Sequence, residues 1–577
     1  MTSNQENQAP NADELSAEIV ALRERVAELE AGATLGLNWR EIPEDVERLL
    51  VEEVPVLTHV KSLDVKGALP SSSAHILIEG DNLHALYTLQ ATHKGRVDVI
   101  SIDPPYNTGN EFIYNDKLID KENRWRHSAW LSFMHKRLVL AGELLSDTGL
   151  IFINIDDNEQ ARLRLLCDSV FGEANFIACL IWQGKSGGQD AKTFNRLHEY
   201  VLVYAKDIEQ AAVLPLLSEA DISKFPHVEA SSGRHYKTQL ARKWGSNSLR
   251  SDRPNLWYAV KAPDGKDCWP LHSDGTEGCW RWSKKKFEAE IAAGNIEFSK
   301  DSKGRWVAYQ RIWAPADGET LARPRSSMVP IECGTTAGGS RELKSILGKG
   351  NGFSYPKPTG LVKWVLESSA NADAIILDFF AGSGTTLHSV AELNAEDDGN
   401  RQCILVTNNE SGICRDVTQP RCKAVLTGKW ADGKHEPLPG SLRFYTTSFM
   451  KRRRSPDRMR MDVAAHTVDL VAVREMVIDE VKVSDDLVML FGDGRSIAVV
   501  PTFDADHKTV CALADKQVRD GDERRAYLFT WNSHGIEPEV AALWPGWEVQ
   551  PLPAEMLAEL RNLAPARNLF DEAEALS

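Results

Sequence analysis

Along most of this 577-residue chain, short apolar runs alternate with stretches whose apolar residues recur every three or four positions. Runs at 76–79, 96–102, 149–156, 176–182, 200–204, 374–379, 402–407 and 441–447 predict buried strands. The spacing predicts helices over 83–93, 125–145, on to 170, 361–369, 385–393 and 417–426. Strand and helix in turn imply an α/β fold: one parallel or mixed sheet with helices on both faces.

The rhythm breaks between 207 and 350, a segment rich in Gly, Ser and Trp with few long periodic stretches, and then resumes. One sheet interrupted by an inserted module is the economical reading. The basic run 451–454 marks a boundary, after which 468–577 predicts a small α/β domain with strands near 487–491, 496–500 and 526–529. At the other end, Leu15, Ile19, Leu22, Val26 and Leu29 form a heptad seam closed by Gly32. Two heptads suit equally a helix packed on its own domain and one pairing with a second subunit. The acidic, proline-marked stretch 38–60 is expected to be a loop and helix leading in. The expected division is therefore 1–35, a heptad helix; 36–206 and 351–450, two halves of one domain; 207–350, the insertion; and 451–577, the C-terminal domain.

Composition narrows the class. With 42% hydrophobic and 26% charged residues the chain is of the soluble globular type. It has no run long enough to span a bilayer and no signal-peptide profile at its start, so a cytoplasmic protein without a membrane partner is expected. Its nine cysteines show no CxxC pair. Cys268, His272 and Cys279 are too loosely spaced to read as a metal site, so no metal is expected. The net charge of −16 argues against a polyanion ligand until its distribution is considered. Residues 221–350 hold 22 Lys and Arg against 15 Asp and Glu, a balance of +7 that leaves −23 elsewhere. A basic module on an acidic frame points to a nucleic-acid contact made by the insertion.

The candidate chemistry starts at Asp103-Pro104-Pro105-Tyr106, directly after a predicted strand, where open α/β sheets collect their ligands. An exocyclic amine on a nucleobase is a poor nucleophile because its lone pair is delocalised into the ring. Accepting hydrogen bonds from both N–H groups draws that pair out. The Asp103 carboxylate suits one, the Pro104 carbonyl the other, and the two prolines stiffen the turn beforehand. Tyr106 offers a flat face for the base, which must leave its duplex to be reached.

The second motif is Asp378-Phe379-Phe380-Ala381-Gly382-Ser383-Gly384-Thr385-Thr386, a strand end, glycine turn and helix start. It has no GK[ST] lysine for nucleotide phosphates. Glu410 follows the next strand, where a ribose-binding carboxylate belongs. Together the two motifs predict S-adenosylmethionine as cofactor, held by Asp378, Phe380, Ala381, Gly382, Ser383, Gly384, Thr385, Thr386 and Glu410.

With these residues the chain resembles the modification (Mod) subunits of type III restriction-modification systems, which are β-class N6-adenine DNA methyltransferases. The resemblance runs over most of 73–450. It rests on Glu79-Gly80-Asp81-Asn82-Leu83, the quartet continuing as Asn107-Thr108-Gly109, and Ile153-Asn154-Ile155-Asp156-Asp157-Asn158-Glu159. It continues through His198-Glu199-Tyr200, Lys357-Pro358-Thr359-Gly360-Leu361 and the glycine turn. It implies a Rossmann-like methyltransferase sheet with an inserted target-recognition domain and a C-terminal domain able to dock a partner. Lys357 becomes a cofactor-site residue by the same resemblance. It also implies double-stranded DNA as substrate, a homodimer and a helicase-nuclease (Res) partner. Within the insertion, Trp244, Trp257, Trp269, Trp280, Trp282, Trp306 and Trp313 read as core more readily than as base-stacking groups. Arg281, Lys284, Lys285 and Lys286 are the candidates for phosphate contact.

The leading expectation is a site-specific adenine-N6 DNA methyltransferase of a type III-like system. The alternatives are N4-cytosine methylation, which suits the same geometry, a solitary DNA methyltransferase, a protein or RNA methyltransferase, and an assembly subunit without catalysis. The basic insertion and the motif order count against the third, the intact motifs against the last.

Overall fold

The computed structural model describes residues 53–69, 74–108, 126–185, 187, 194–211, 213–214, 216–219, 225–229, 232–244, 248–314, 319–322, 327–350, 352–451, 462, 465–502, 505–529 and 536–552, together with 39, 44 and 48–50. The heptad segment 15–29, Gly109 and the basic residues 452–454 lie outside the described residues.

Nine strands make one mixed sheet: β1 (Glu53–His59), β2 (Ala74–Glu79), β3 (Val97–Ile102), β4 (Leu145–Ile155), β5 (Phe176–Trp182), β6 (Glu199–Ala205), β7 (Ile375–Asp378), β8 (Gln402–Thr407) and β9 (Ser441–Lys451). Their spatial order is β1-β9-β2-β8-β7-β3-β4-β6-β5. From β9 to β4 the strands run parallel, while β1, β6 and β5 pair antiparallel at the two ends.

Neighbouring positions of the central strands feed two separate cores. Ile76, Ile78, Ile100, Ile102, Ile151, Ile153, Leu377, Ile404 and Val406 face one apolar layer. Leu77, Val99, Leu150, Phe152, Ile376, Cys403 and Leu405 face the other. Continuous apolar runs are what a strand buried on both faces requires. The first layer is closed by helices α1 (Asn82–His93), α2 (Arg126–Leu144) and α3 (Gln160–Phe171). The second is closed by α4 (Thr336–Leu347), α5 (Thr359–Glu367), α6 (Thr385–Asp397) and α7 (Gln419–Thr427).

The stretch expected as a loop and helix is helical at residues 48–50 but also contains strand β1, which was not expected. Val54, Val56 and Leu57 are buried, and among the described residues the strand pairs only with β9. Pro55 is tolerated because an edge strand needs hydrogen bonds on one side alone.

The chain forms two compact units: 215–325, and the remainder on both sides of it. The insertion is thus narrower than 207–350. Helix α4 belongs to the main unit because Ile346 joins the second core layer, and the Leu214 N–H is bound by the Ser368 carbonyl (2.8 Å). Within the insertion, strands Ile296–Lys300, Trp306–Trp313, His235–Leu240 and His227–Val228 form an antiparallel sheet in that order. Helix Lys284–Ala292 adds Phe287 to a small core with Trp280. Trp282 and Trp306 pack against this core, whereas Trp244 is 62% exposed. Strands Leu216–Glu219 and Glu319–Ala322 pair antiparallel, so the two ends of the insertion run side by side.

The C-terminal region has its own five-stranded sheet, from Asp479–Lys482 to Glu548–Leu552, yet it belongs to the main unit. It is tied on by main-chain carbonyls around helix α8 (Thr467–Glu475). The Arg474 carbonyl accepts from Arg96 (3.0 Å), Met476 from Gln402 (2.9 Å) and Val477 from Arg443 (3.2 Å). Among the described residues no helix is long and apolar enough to cross a membrane.

Candidate active site

Strands β3 and β7 are parallel neighbours, with Val99 opposite Ile376 and Ile100 opposite Leu377. Their carboxyl ends therefore emerge together, one continuing into the proline quartet and the other into the glycine turn. The two motifs, some 270 positions apart in sequence, line one cavity of about 250 Å³. Its walls include Asp103, Pro105, Tyr106, Lys357, Asp378, Phe380 and most of the turn 381–386. This juxtaposition is what the resemblance required.

The quartet is held from behind. The Trp130 indole N–H on α2 donates to the Pro105 carbonyl (2.7 Å), and Asn154 on β4 donates to the Ile102 carbonyl (3.0 Å). Pro104 itself is buried and is not part of the cavity wall. Asn107 adopts φ +54°, and its side-chain amide donates to Glu159 (2.5 Å), a buried carboxylate that also meets His127. The Asn107 side-chain carbonyl oxygen is buried without a hydrogen-bond partner among the described residues.

The Asp103 carboxylate already has donors. Lys357 Nζ reaches both its oxygens (2.8 and 2.9 Å), and the Tyr106 hydroxyl donates to Oδ1 (2.8 Å). The same hydroxyl lies 3.0 Å from Glu199 Oε2, and Lys357 Nζ lies 3.3 Å from that oxygen. Burial and the two nearby carboxylates push the Tyr106 phenol far above its ordinary range, so it stays a donor. Lys357, a cofactor-site residue by resemblance, thus reaches the amine side of the cavity. Its ion pairs span about 160 to 250 residues, a separation that local pattern does not register.

The glycine turn is shaped by its own contacts. The carboxylate of Asp378, on β7, accepts from the Phe380 N–H (3.0 Å) and the Thr386 hydroxyl (2.6 Å), closing the turn onto helix α6. Gly382 (φ +49°) and Gly384 (φ +78°) take left-handed backbone, and a Cβ at Gly382 would come within 3.0 Å of the Phe353 ring. The Thr418 hydroxyl donates to the Gly382 carbonyl (2.6 Å). The buried Arg421 donates to Ser383 Oγ (3.1 Å) and Thr385 Oγ1 (2.8 Å). Across the sheet, Asn82 donates to the Phe379 carbonyl (3.0 Å) while Asp81 caps helix α1 through the Leu83 N–H (2.8 Å). This accounts for the polar turn after β2. Gly80 is needed there because a Cβ would lie 2.0 Å from the Thr447 side chain.

Phe380, Ala381, Gly382, Ser383, Thr385 and Thr386 all line the cavity. Glu410 does not: it is exposed, and the chain beyond it turns through left-handed backbone at Ser411 and Gly412. Thr407 and Asn408 are the polar residues that line the cavity from that strand end. Phe353 and Tyr355 are further wall residues that sequence reasoning missed. Tyr355 is 78% exposed at φ +61°, and its only sequence signal was an aromatic residue before a proline.

In the insertion, Lys284, Lys285 and Lys286 are exposed in the first helical turn. Arg281 is not comparable to them, since its guanidinium donates to Gln239 (2.7 Å) and Gln310 (3.2 Å) of its own sheet. Cys268 and Cys279 are buried thiols.

The family model described as a DNA methylase, N6_N4_Mtase, matches residues 97–418, more than half the chain. The chain belongs to the N6/N4 DNA methylase family. The match begins at strand β3 and ends just before α7, so both motifs and the whole insertion fall inside it. This methylase is similar to the Mod subunit of the EcoPI type III restriction-modification enzyme of Escherichia phage P1. The two are 35% identical over 382 residues, 59% of this chain and 58% of the relative. The StyLTI Mod subunit of Salmonella typhimurium is 34% identical over 366 residues, 59% of this chain and 53% of the relative. The type II methyltransferase M.KpnI of Klebsiella pneumoniae is 34% identical over 364 residues, 59% of this chain and 82% of the relative. The chain therefore spans little more than half the length of the two Mod subunits. The methyl donor of such a methylase, S-adenosylmethionine, fits the cavity in two observed respects. A glycine turn that a Cβ would fill lies along the wall, and two buried acceptors, the Asp378 carboxylate and the Asn107 oxygen, belong to wall residues suited to a cationic ligand.

Proposed function

We propose that this methylase transfers the methyl group of S-adenosylmethionine to adenine N6 at a specific site in duplex DNA, with the target base flipped out of the helix. The observation that carries the reading is the shared cavity at the ends of β3 and β7, where an amine acceptor and a cofactor turn meet. Asp103, on the cavity wall, accepts an N6–H, which helps localise the amine lone pair as the bond forms. Tyr106, fixed through its hydroxyl, presents its ring to the base. The turn 381–386 with Asp378 and Asn408 holds the cofactor, which when bound supplies an electrophilic methyl on a sulfonium. The insertion reads the DNA as a target-recognition domain. Similarity to Mod subunits supports a place as the modification subunit of a type III-like system, dimeric and partnered by a helicase-nuclease.

A solitary methyltransferase is the second reading, because M.KpnI, a type II methyltransferase, is covered over 82% of its length. Expressing the chain in a host without DNA methylation and sequencing the DNA for modified bases tests both. N6-methyladenine in one short context is expected. N4-methylcytosine would redirect the substrate, and unmodified DNA beside folded protein would sink the proposal. Co-purification with a helicase-nuclease from the native host separates the type III reading from the solitary one.

Two further outcomes are expected. Burial pushes the Asp378 carboxyl up to about 7, against the opposing hydrogen bonds of Thr386 and Phe380. The folded protein therefore keeps a proton that the unfolded chain loses near its ordinary value of 3.8, and this group's contribution to stability falls as pH rises from about 4 to 7. A cationic ligand favours the ionised form. Cofactor affinity should rise with pH up to about 7 and level above it, and Asp378→Asn should flatten that profile in calorimetric titrations from pH 5.5 to 8.5. An equal slope in the variant would refute the assignment.

Three cations in the first turn of a helix sit at the wrong end of its dipole, so Lys284 to Lys286 are better explained by an external anion. Replacing all three by Gln should weaken DNA binding alike for all sequences and reduce the slope of log K against log salt by up to about 0.9 per lysine. A changed sequence preference at an unchanged slope would contradict the phosphate role.

A further inference from the structure

The amine site carries one more carboxylate and one more cation than hydrogen-bond acceptance from adenine requires. Lys357 Nζ lies within 2.9 Å of both Asp103 oxygens, 2.8 Å from the Tyr106 hydroxyl and 3.3 Å from Glu199 Oε2. Its three N–H donors are thus matched by the three groups around it. The Lys357 side chain is 11% exposed and that of Glu199 19%, so water screens these charges weakly. Among the described residues no second cation stands within ion-pair distance of either carboxylate. Two more carboxylates lie within reach of their fields: Asp378 feels the charge of Asp103, and Asp156 that of Glu199.

The backbone of Lys357 is as constrained as its side chain. Pro356 and Pro358 flank it, limiting the conformations open to the segment, and its carbonyl accepts from Thr385 Oγ1 of the glycine turn (3.3 Å). Two carboxylates side by side without a cation would compete for a proton, and a protonated Asp103 would lose acceptor capacity. Burial opposes the Lys357 ammonium, but the charges of Asp103 and Glu199 outweigh it and hold its pKa above the ordinary lysine value. The lysine is therefore charged wherever the enzyme works. Oδ1 of Asp103 takes both Tyr106 and Lys357, while Oδ2 takes Lys357 alone, which leaves the free acceptor position on Oδ2.

We propose that Lys357 and Glu199 are positioning residues of the amine site: Lys357 is the counter-cation of the carboxylate pair that holds Asp103 oriented toward the base, and Glu199 anchors Lys357 and Tyr106. This deepens the amino-methylation reading above and rests on it.

The test uses the full chain and a DNA duplex carrying the site found by sequencing. Cofactor affinity is measured by calorimetry and methyl transfer by single-turnover rates from pH 5.5 to 9. Lys357→Met should bind S-adenosylmethionine within about threefold of the parent yet transfer methyl about 100-fold more slowly at pH 7. The acid limb of its rate profile should move to higher pH, because the carboxylate pair then holds a shared proton. Glu199→Gln should move the acid limb the other way, since Lys357 is left to Asp103 alone. The double variant should recover about tenfold over Lys357→Met, because the competing carboxylate is gone. Lys357→Arg should restore part of the rate. Loss of cofactor affinity in step with rate would make Lys357 a cofactor ligand and overturn the proposal. So would rate losses with an unmoved acid limb and no recovery in the double variant. Should Lys357→Met fail to fold, by circular dichroism, the Glu199→Gln profile still decides: a limb that stays put or moves upward overturns it. A parent protein that methylates no DNA fails at the first measurement, and that failure belongs to the function proposed above.

Discussion

Asp103→Ala is expected to abolish methyl transfer, by about a thousandfold or more, while S-adenosylmethionine binds within a few-fold of the parent. In the proposed reaction the carboxylate is the acceptor that draws out the amine lone pair, so its loss removes a contact that matters most as the bond forms. Its removal also leaves Lys357 with Glu199 as sole ionic partner, and the cation would then be free to swing into the space meant for the base. Asp103→Asn should fare little better, because an amide offers one acceptor and two donors where the amine needs acceptors. Equilibrium binding and single-turnover transfer, measured on the same preparation, separate the two effects. An equal collapse of cofactor affinity would move Asp103 to the cofactor side and refute its role at the amine.

Arg421→Met should do the opposite, damaging stability and cofactor binding together. The guanidinium is 1% exposed and bridges two layers of the site. One arm braces Ser383 and Thr385 in the glycine turn, and the other meets Glu342 Oε1 (2.8 Å) on α4. Burial would raise the Glu342 carboxyl, yet His388 and Arg421 reverse that and hold it at about 2. Because this pKa is depressed from 4.5, the associated stability is present above pH 4.5 and is lost as pH falls toward 2. Removing the arginine leaves a half-paired, partly buried carboxylate, at a cost below the roughly 3–5 kcal/mol of a fully buried pair. The loosened turn should weaken cofactor binding about tenfold or more. Thermal melting at pH 7 and pH 4 checks the first part: the variant should lose most at pH 7 and less at pH 4. A variant as stable as its parent at both pH values would show that the bridge contributes nothing.

The central strands were legible in the sequence because burial on both faces leaves continuous apolar runs, and β8 matches its expected span of 402–407. The two motifs were legible because their work demands unusual residues: prolines for a stiff turn, glycines for left-handed backbone. Strand β1 was hidden because Glu53 and Pro55 mask its alternation, and only pairing with β9 makes it a strand. The insertion was overestimated because composition changes earlier and later than the fold does, so α4 was grouped with the wrong unit. Glu410 was placed by strand order alone, which cannot register that the turn beyond β8 runs through left-handed residues. Lys357, Glu199 and Arg421 work through partners between 36 and 254 residues away. No local period records such a pair. Arg281 shows the converse: a basic run suggested one use for four residues, and the structure gives the arginine to its own sheet.

The paired strands at the two ends of the insertion have an evolutionary consequence. Leu216 lies opposite Ala322 and Glu219 opposite Glu319, so the two ends of the insertion form a two-stranded stem. A segment joined in this way behaves as a cassette: recombination between related genes at the stem would exchange everything between its strands while the catalytic sheet kept every contact of its own. With the insertion reading the DNA, as proposed, new sequence preferences would then arise by trading one piece of gene, with no relearning of the chemistry.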